Sequence, residues 1–86
     1  MTFSIDYDKQ PRKFLKKLDK HIAKRIIDKI DQVLKESPVP HDAKSVVGKS
    51  GVFRIRIGDY RALYRTNYSD KWVVVIKIDK RPRVFQ

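Results

Sequence analysis

Four arginines, Arg54, Arg56, Arg61 and Arg65, fall within the run VFRIRIGDYRALYR with a spacing that can gather them on one surface. Two alternating apolar and basic stretches flank Gly58-Asp59, a pair suited to a two-residue hairpin loop. That register sets Ile57 opposite Tyr60, Arg56 opposite Arg61 and Ile55 opposite Ala62. Side chains alternate across a strand. Phe53, Ile55, Ile57, Tyr60, Ala62 and Tyr64 then share one face, and the four arginines share the other with Leu63. Like charges directly opposite each other destabilise a sheet, so a chain that keeps them there is arranged to meet a polyanion. A merely solvated face would interleave acids with the arginines, and the hairpin's only acid, Asp59, sits in the turn.

Guanidinium groups on a surface suit one reaction class in particular. Phosphoryl transfer depends on positioning and on stabilising charge as it develops. RNA brings its own nucleophile, the 2′-hydroxyl, so the protein has to orient the phosphate, stabilise the pentavalent transition state and move a proton. Tyr60, Tyr64 and Tyr68 are the nearest hydroxyls in sequence, but alternation turns Tyr60 and Tyr64 toward the core, where packing is their role. Other chemistries are poorly supplied. There is no cysteine, so thiol catalysis, thiolate metal sites and disulfides are excluded. His21 and His41 have no spacing that converges on a metal, and Gly48, Gly51 and Gly58 fit no phosphate-binding loop. No cofactor or metal is expected.

These side chains need elements to hold them. Phe3, Ile5 and Tyr7 alternate with polar residues and predict a first strand. Asp8 is placed to cap a short helix reaching about Leu18, with Pro11 in its first turn and Phe14, Leu15 and Leu18 as its buried stripe. Asp19 begins a longer helix that ends before Ser37-Pro38. Its Ile22, Ala23, Ile26, Ile27, Ile30, Val33 and Leu34 keep helical spacing and read as core. Residues 37–51, rich in Pro, Gly and Ser, read as a loop. After the hairpin and a turn near residues 68–71, residues 72–79 form a nearly all-apolar last strand. A three-residue loop before it sets Lys77 beside Arg61 on the basic face and Ile76 on the apolar one. Lys80, Arg81, Pro82 and Arg83 then make a basic tail.

The expected fold class is α+β: an N-terminal strand, a helical hairpin and a three-stranded antiparallel meander. One sheet carries two helices on one face and leaves the arginine face open. Residues 1–86 form a single domain, near the low end of what sustains a core without staples. The net charge of +11 points to nucleic acid, an anionic membrane or an acidic protein as partner. No apolar run is long enough to span a bilayer and no secretory signal is visible. A reducing cytoplasm suits a chain without cysteine.

The order of elements, the hairpin GVFRIRIGDYRALYR and the terminal VIKIDKRPRVF resemble the RelE/ParE toxin superfamily of toxin–antitoxin systems, over nearly the whole chain. In its RelE branch the resemblance implies a metal-independent, ribosome-dependent endoribonuclease that cuts mRNA in the ribosomal A site, leaving a 2′,3′-cyclic phosphate. It implies catalytic roles for Arg61, after the turn, for Arg81, in the basic tail, and for Arg54 and Arg56 on the preceding strand. Arg65, Lys77, Lys80, Arg83 and Phe85 are the expected RNA contacts. Phe85 stands where many relatives have a tyrosine; a phenyl ring stacks but accepts no proton. The implied partners are the ribosome, mRNA and an acidic RelB-like antitoxin that folds onto the toxin in a hetero-oligomer. Two alternatives stay open: a ParE-like toxin that inhibits DNA gyrase by binding it, and a non-catalytic basic module that binds RNA or the ribosome.

Overall fold

The computed structural model describes residues 2–39 and 43–80. Its elements are β1 (Ser4–Tyr7), α1 (Lys9–Lys17), α2 (Lys20–Leu34), β2 (Lys44–Ser45), β3 (Val52–Ile57), β4 (Tyr60–Asn67) and β5 (Trp72–Lys80). The five strands make one sheet in the order β1-β5-β4-β3-β2. β1 runs parallel to β5, and every other neighbouring pair is antiparallel.

Both helices start where a carboxylate satisfies a free backbone donor. Asp8 is extended and accepts from the Lys9 N–H at 2.8 Å. Asp19 accepts from the His21 N–H at 3.1 Å. Pro11 lies in the first turn of α1, where a missing N–H costs nothing, and Lys16 and Lys17 lie in its last turn, where the helix dipole favours cations. The core forms between α2 and one face of the sheet. Ile26, Ile30 and Leu34 pack with Phe3, Ile55, Ile57, Ala62, Tyr64, Val73, Val75 and Ile78, while Phe14, Leu15 and Leu18 of α1 cover its margin. Each such aliphatic side chain contributes roughly 1.5–3 kcal/mol when fully buried.

The structure departs from the sequence expectation in four places, each with a local cause. The loop of residues 37–51 contains a short strand, β2, which pairs Lys44 with Arg54 and Ser45 with Phe53 and extends the sheet by one edge. The β4–β5 connection has four residues rather than three, since Asn67 pairs with Trp72. There the Asn67 side chain accepts from the Asp70 N–H at 2.8 Å, and Lys71 takes a left-handed φ of 56°. A bulge then breaks the register between Leu63 and Tyr64: Tyr64 pairs with Val75 but Leu63 with Lys77. Ile76 is the extra residue, so it stays half-buried outside the core and Ile78 takes the expected place behind Ala62. Finally, Ile27 is only partly buried. It lines a shallow groove between the helices with Leu15, Leu18 and Ala23, rimmed by Lys16, Lys20 and Lys24.

Candidate nucleic-acid interface

The two-residue turn holds as expected. Gly58 has φ of 58° while Asp59 stays outside the left-handed region, the pattern of a type II′ turn. Val52 to Ile57 pair with Arg65 back to Tyr60, with Arg56 opposite Arg61, Arg54 opposite Leu63 and Ile55 opposite Ala62. The apolar partners on this hairpin face the helices, which leaves the arginines on the uncovered side.

Register across the sheet turns that side into rows. The first runs Arg56, Arg61, Asp79; the second Lys44, Arg54, Leu63, Lys77; the third Val52, Arg65, Val74, Asp6. Neighbouring strands lie about 4.8 Å apart, so the cations of adjacent strands can engage one phosphodiester chain. Arg56 and Arg65 are exposed and Arg54 is half-buried. The half-buried Leu63 and Val74 supply apolar surface between them, while Val52, only 1% exposed, is covered.

Arg61 is not the free, solvent-facing guanidinium that the hairpin alone suggests. Its Nε donates to Asp79 Oδ1 at 2.7 Å, and the two side chains are 32% and 28% exposed. The extra residue of the loop and the extra residue of the bulge offset each other, so the pairing here is the one a three-residue loop would give, with Asp79 opposite Arg61 and Lys77 opposite Leu63. Lys77 sits one pair further along, with Nζ 3.7 Å from Asp79 Oδ2. The basic face therefore holds an acid in the row where two arginines pair directly. The hydrogen bond and charge of Asp79 raise the Arg61 pKa further, so the guanidinium is permanently charged. Because the bond uses Nε, the two terminal amino groups of the guanidinium keep their fork geometry for a planar anion.

The other sequence candidates divide. Lys80 pairs with Tyr60 and so belongs to the helix-covered side rather than to the arginine face. Arg81, Arg83 and Phe85, like His41, lie outside the described residues. His21 is on α2, its Nδ1 3.5 Å from Asp19 Oδ1, far from the arginines in the layer order. Tyr60 and Tyr64 do face the helix side. The Tyr60 ring meets Phe14 edge-on at 6.0 Å, and Tyr64 has no exposure. Burial holds the Tyr64 and Tyr7 phenols well above their ordinary pKa, which suits neither to proton transfer at neutral pH. Among the described residues no three His, Asp or Glu side chains gather as metal ligands, and no helix is long and apolar enough to cross a membrane.

One supporting residue gave no signal in the sequence. Beyond Tyr7–Val75, the last pair between β1 and β5, the outer edge of β5 has no strand beside it among the described residues. Gln10 of α1 fills the gap: its amide donates to the Ile78 carbonyl at 3.0 Å and accepts from the Ile78 N–H at 2.9 Å. A single side chain thus replaces a strand neighbour one residue before Asp79.

The sequence matches, over residues 5–85, the family described as the ParE toxin of the type II toxin–antitoxin system, parDE. RelE1 of Methanocaldococcus jannaschii is 30% identical over 89 residues, covering 100% of this chain and 98% of that protein. The archaeal RelE–RelB complex of Pyrococcus horikoshii contains a chain of TM-score 0.80 and 31% identity, with 98% of this chain and 100% of that one covered. The RelBE2 toxin–antitoxin complex of Mycobacterium tuberculosis gives TM-score 0.81 at 25% identity, covering 94% of this chain and 100% of that one.

Proposed function

Because this chain belongs to the RelE/ParE toxin superfamily of type II toxin–antitoxin systems, we propose that it is a ribosome-dependent endoribonuclease that cleaves mRNA in the ribosomal A site. The observation that carries this reading is the uncovered sheet face, where Arg54, Arg56, Arg61 and Arg65 stand on adjacent strands. In the proposed reaction Arg61, Arg56 and Arg54 bind the scissile phosphate and stabilise the charge on its oxygens as the 2′-hydroxyl attacks. Arg65 and Lys77 hold the flanking backbone. Arg81 is assigned a catalytic role, and Arg83 and Phe85 an RNA-binding one, from the family resemblance alone; Lys80, on the other side of the sheet, is left out of the site.

The partner proposed for the resting state is an acidic antitoxin of the RelB type, since the relatives from P. horikoshii and M. tuberculosis are toxin–antitoxin complexes. A chain of net charge +11 attracts such a partner over a long range. In a cell these components meet in the cytoplasm.

Primer extension on an mRNA translated in a purified system tests the reading, with wild type compared against Arg61→Ala. The expected result is cleavage that requires ribosomes and falls at least about 100-fold in the variant, whose melting temperature stays near that of wild type because an ion pair this exposed contributes under about 1 kcal/mol. Phe85, with no hydroxyl, favours a second reading in which the toxin binds and inhibits DNA gyrase. Absence of cleavage together with loss of gyrase supercoiling would select it. Absence of both would leave a basic binding module.

A further inference from the structure

We propose that Asp79 is the general base of the RNA cleavage, an inference that rests on the endoribonuclease reading above. The cleavage needs a group on the arginine face that can take a proton from the 2′-hydroxyl. Phe85 has none to offer, and Tyr60 and Tyr64 lie on the helix side of the sheet. The guanidiniums stay protonated. Asp79 is the carboxylate that register sets directly opposite Arg61.

Its two oxygens are not equivalent. Oδ1 accepts from Arg61 Nε at 2.7 Å and is held by that bond. Among the described residues Oδ2 meets only the more distant Lys77 Nζ, at 3.7 Å, which leaves it acceptor capacity. Arg61 faces this carboxylate from β4 and Lys77 shares its strand. Asp6 of β1 stands further down the same face, across from Val74, and Asp8 and Lys9 flank Gln10 at the start of α1. The Gln10 bonds to Ile78 fix the backbone immediately before Asp79, so the carboxylate is carried on a rigid strand rather than a free edge.

In the proposed step Oδ2 takes the 2′-hydroxyl proton and the freed oxygen pair forms the 2′-O–P bond. The P–O5′ bond breaks, its electron pair leaves on the 5′-oxygen, and that oxygen takes a proton from water. Asp79 returns its proton to the hydroxide so formed. The products are a 2′,3′-cyclic phosphate and a 5′-hydroxyl. Arg61 serves both partners, with Nε on the base and the terminal amino groups on the phosphate.

The test compares wild type, Asp79→Asn and Asp79→Glu in single-turnover cleavage on ribosomes, with affinity for a labelled single-stranded RNA and thermal melts measured alongside. Asn keeps an acceptor for Arg61 Nε and removes a negative charge from an anion-binding face. Its RNA affinity is therefore expected to equal or exceed that of wild type while cleavage falls at least about 100-fold. Glu restores part of the rate. Cleavage by the Asn variant within a few-fold of wild type overturns the assignment. So does loss of RNA binding or of the folded state in that variant, which would make Asp79 a structural residue. If wild type itself leaves mRNA intact on ribosomes, the endoribonuclease reading fails and this inference with it; the wild-type lane separates that failure from the others.

Discussion

Tyr64 is fully buried, and its hydroxyl has no hydrogen-bond partner among the described residues. A hydroxyl desolvated without a partner costs about 1–3 kcal/mol, so Tyr64→Phe is expected to leave stability unchanged or raise it by up to about 1 kcal/mol. Urea unfolding reads this directly, and a fall of the midpoint would reveal a bond to that oxygen. The same burial has a pH signature. Tyr64 and Tyr7 have phenol pKa values raised in the folded state, chiefly by desolvation, with Tyr68 adding to the first and Asp31 to the second. A raised folded pKa stabilises the fold fully below the unfolded value of about 10 and loses that stability as pH climbs toward the folded value. Unfolding midpoints should therefore decline above about pH 10, and less so in Tyr64→Phe. At neutral pH neither residue makes stability vary.

The elements show which parts of the site could be read from residue types. The β3–β4 pairing was legible because two residues, Gly58 and Asp59, fix a turn type, and the turn fixes every pair above it. Gly58 has a left-handed φ, and a Cβ built on it meets nothing within 4 Å. Gly58→Ala therefore pays in backbone strain alone, about 1 kcal/mol, which lowers the melting temperature by roughly 4–8 °C in a domain of this size. An unchanged melt would contradict the turn assignment. The helices were legible for a similar reason: Asp8 and Asp19 are caps with a chemical function. β5 was not. Its run of Trp72, Val73, Val74, Val75 and Ile76 is apolar on both faces, so no alternation marks where the register slips. Without the bulge at Ile76 the pairing of Tyr64 with Val75 would carry on to set Ile78 opposite Arg61; the bulge sets Asp79 there. Nor could spacing reveal Gln10, whose partner is backbone 68 residues away.

At the scale of the molecule, cations cover both layers. The arginines occupy the open sheet face, and Lys9, Lys13, Lys16, Lys17, Lys20 and Lys24 are exposed on the helices. Non-specific attraction to a polyanion therefore comes from every side, while Arg54, Arg56 and Arg61, proposed to bind the scissile phosphate, stand on the sheet. Engagement of Arg54, Arg56, Arg61 and Arg65 by single-stranded RNA predicts that log K falls with log salt at a slope of at least about −3, at roughly 0.7 per neutralised phosphate. Anisotropy titrations across a salt series measure it, and Arg61→Ala should flatten the slope by about 0.7. A slope near zero would remove the polyanion reading altogether.

The parallel pairing of β1 with β5 ties residues 4–7 to residues 72–75, so an early product of translation has to wait for a late one. Until β5 leaves the ribosome, β1 has no neighbour, Arg61 has no Asp79, and α2 has only part of its floor. An unfinished copy of this polypeptide therefore carries most of its basic residues and none of its assembled site. On the endoribonuclease reading proposed above, a chain still being translated is therefore harmless to the ribosome that makes it.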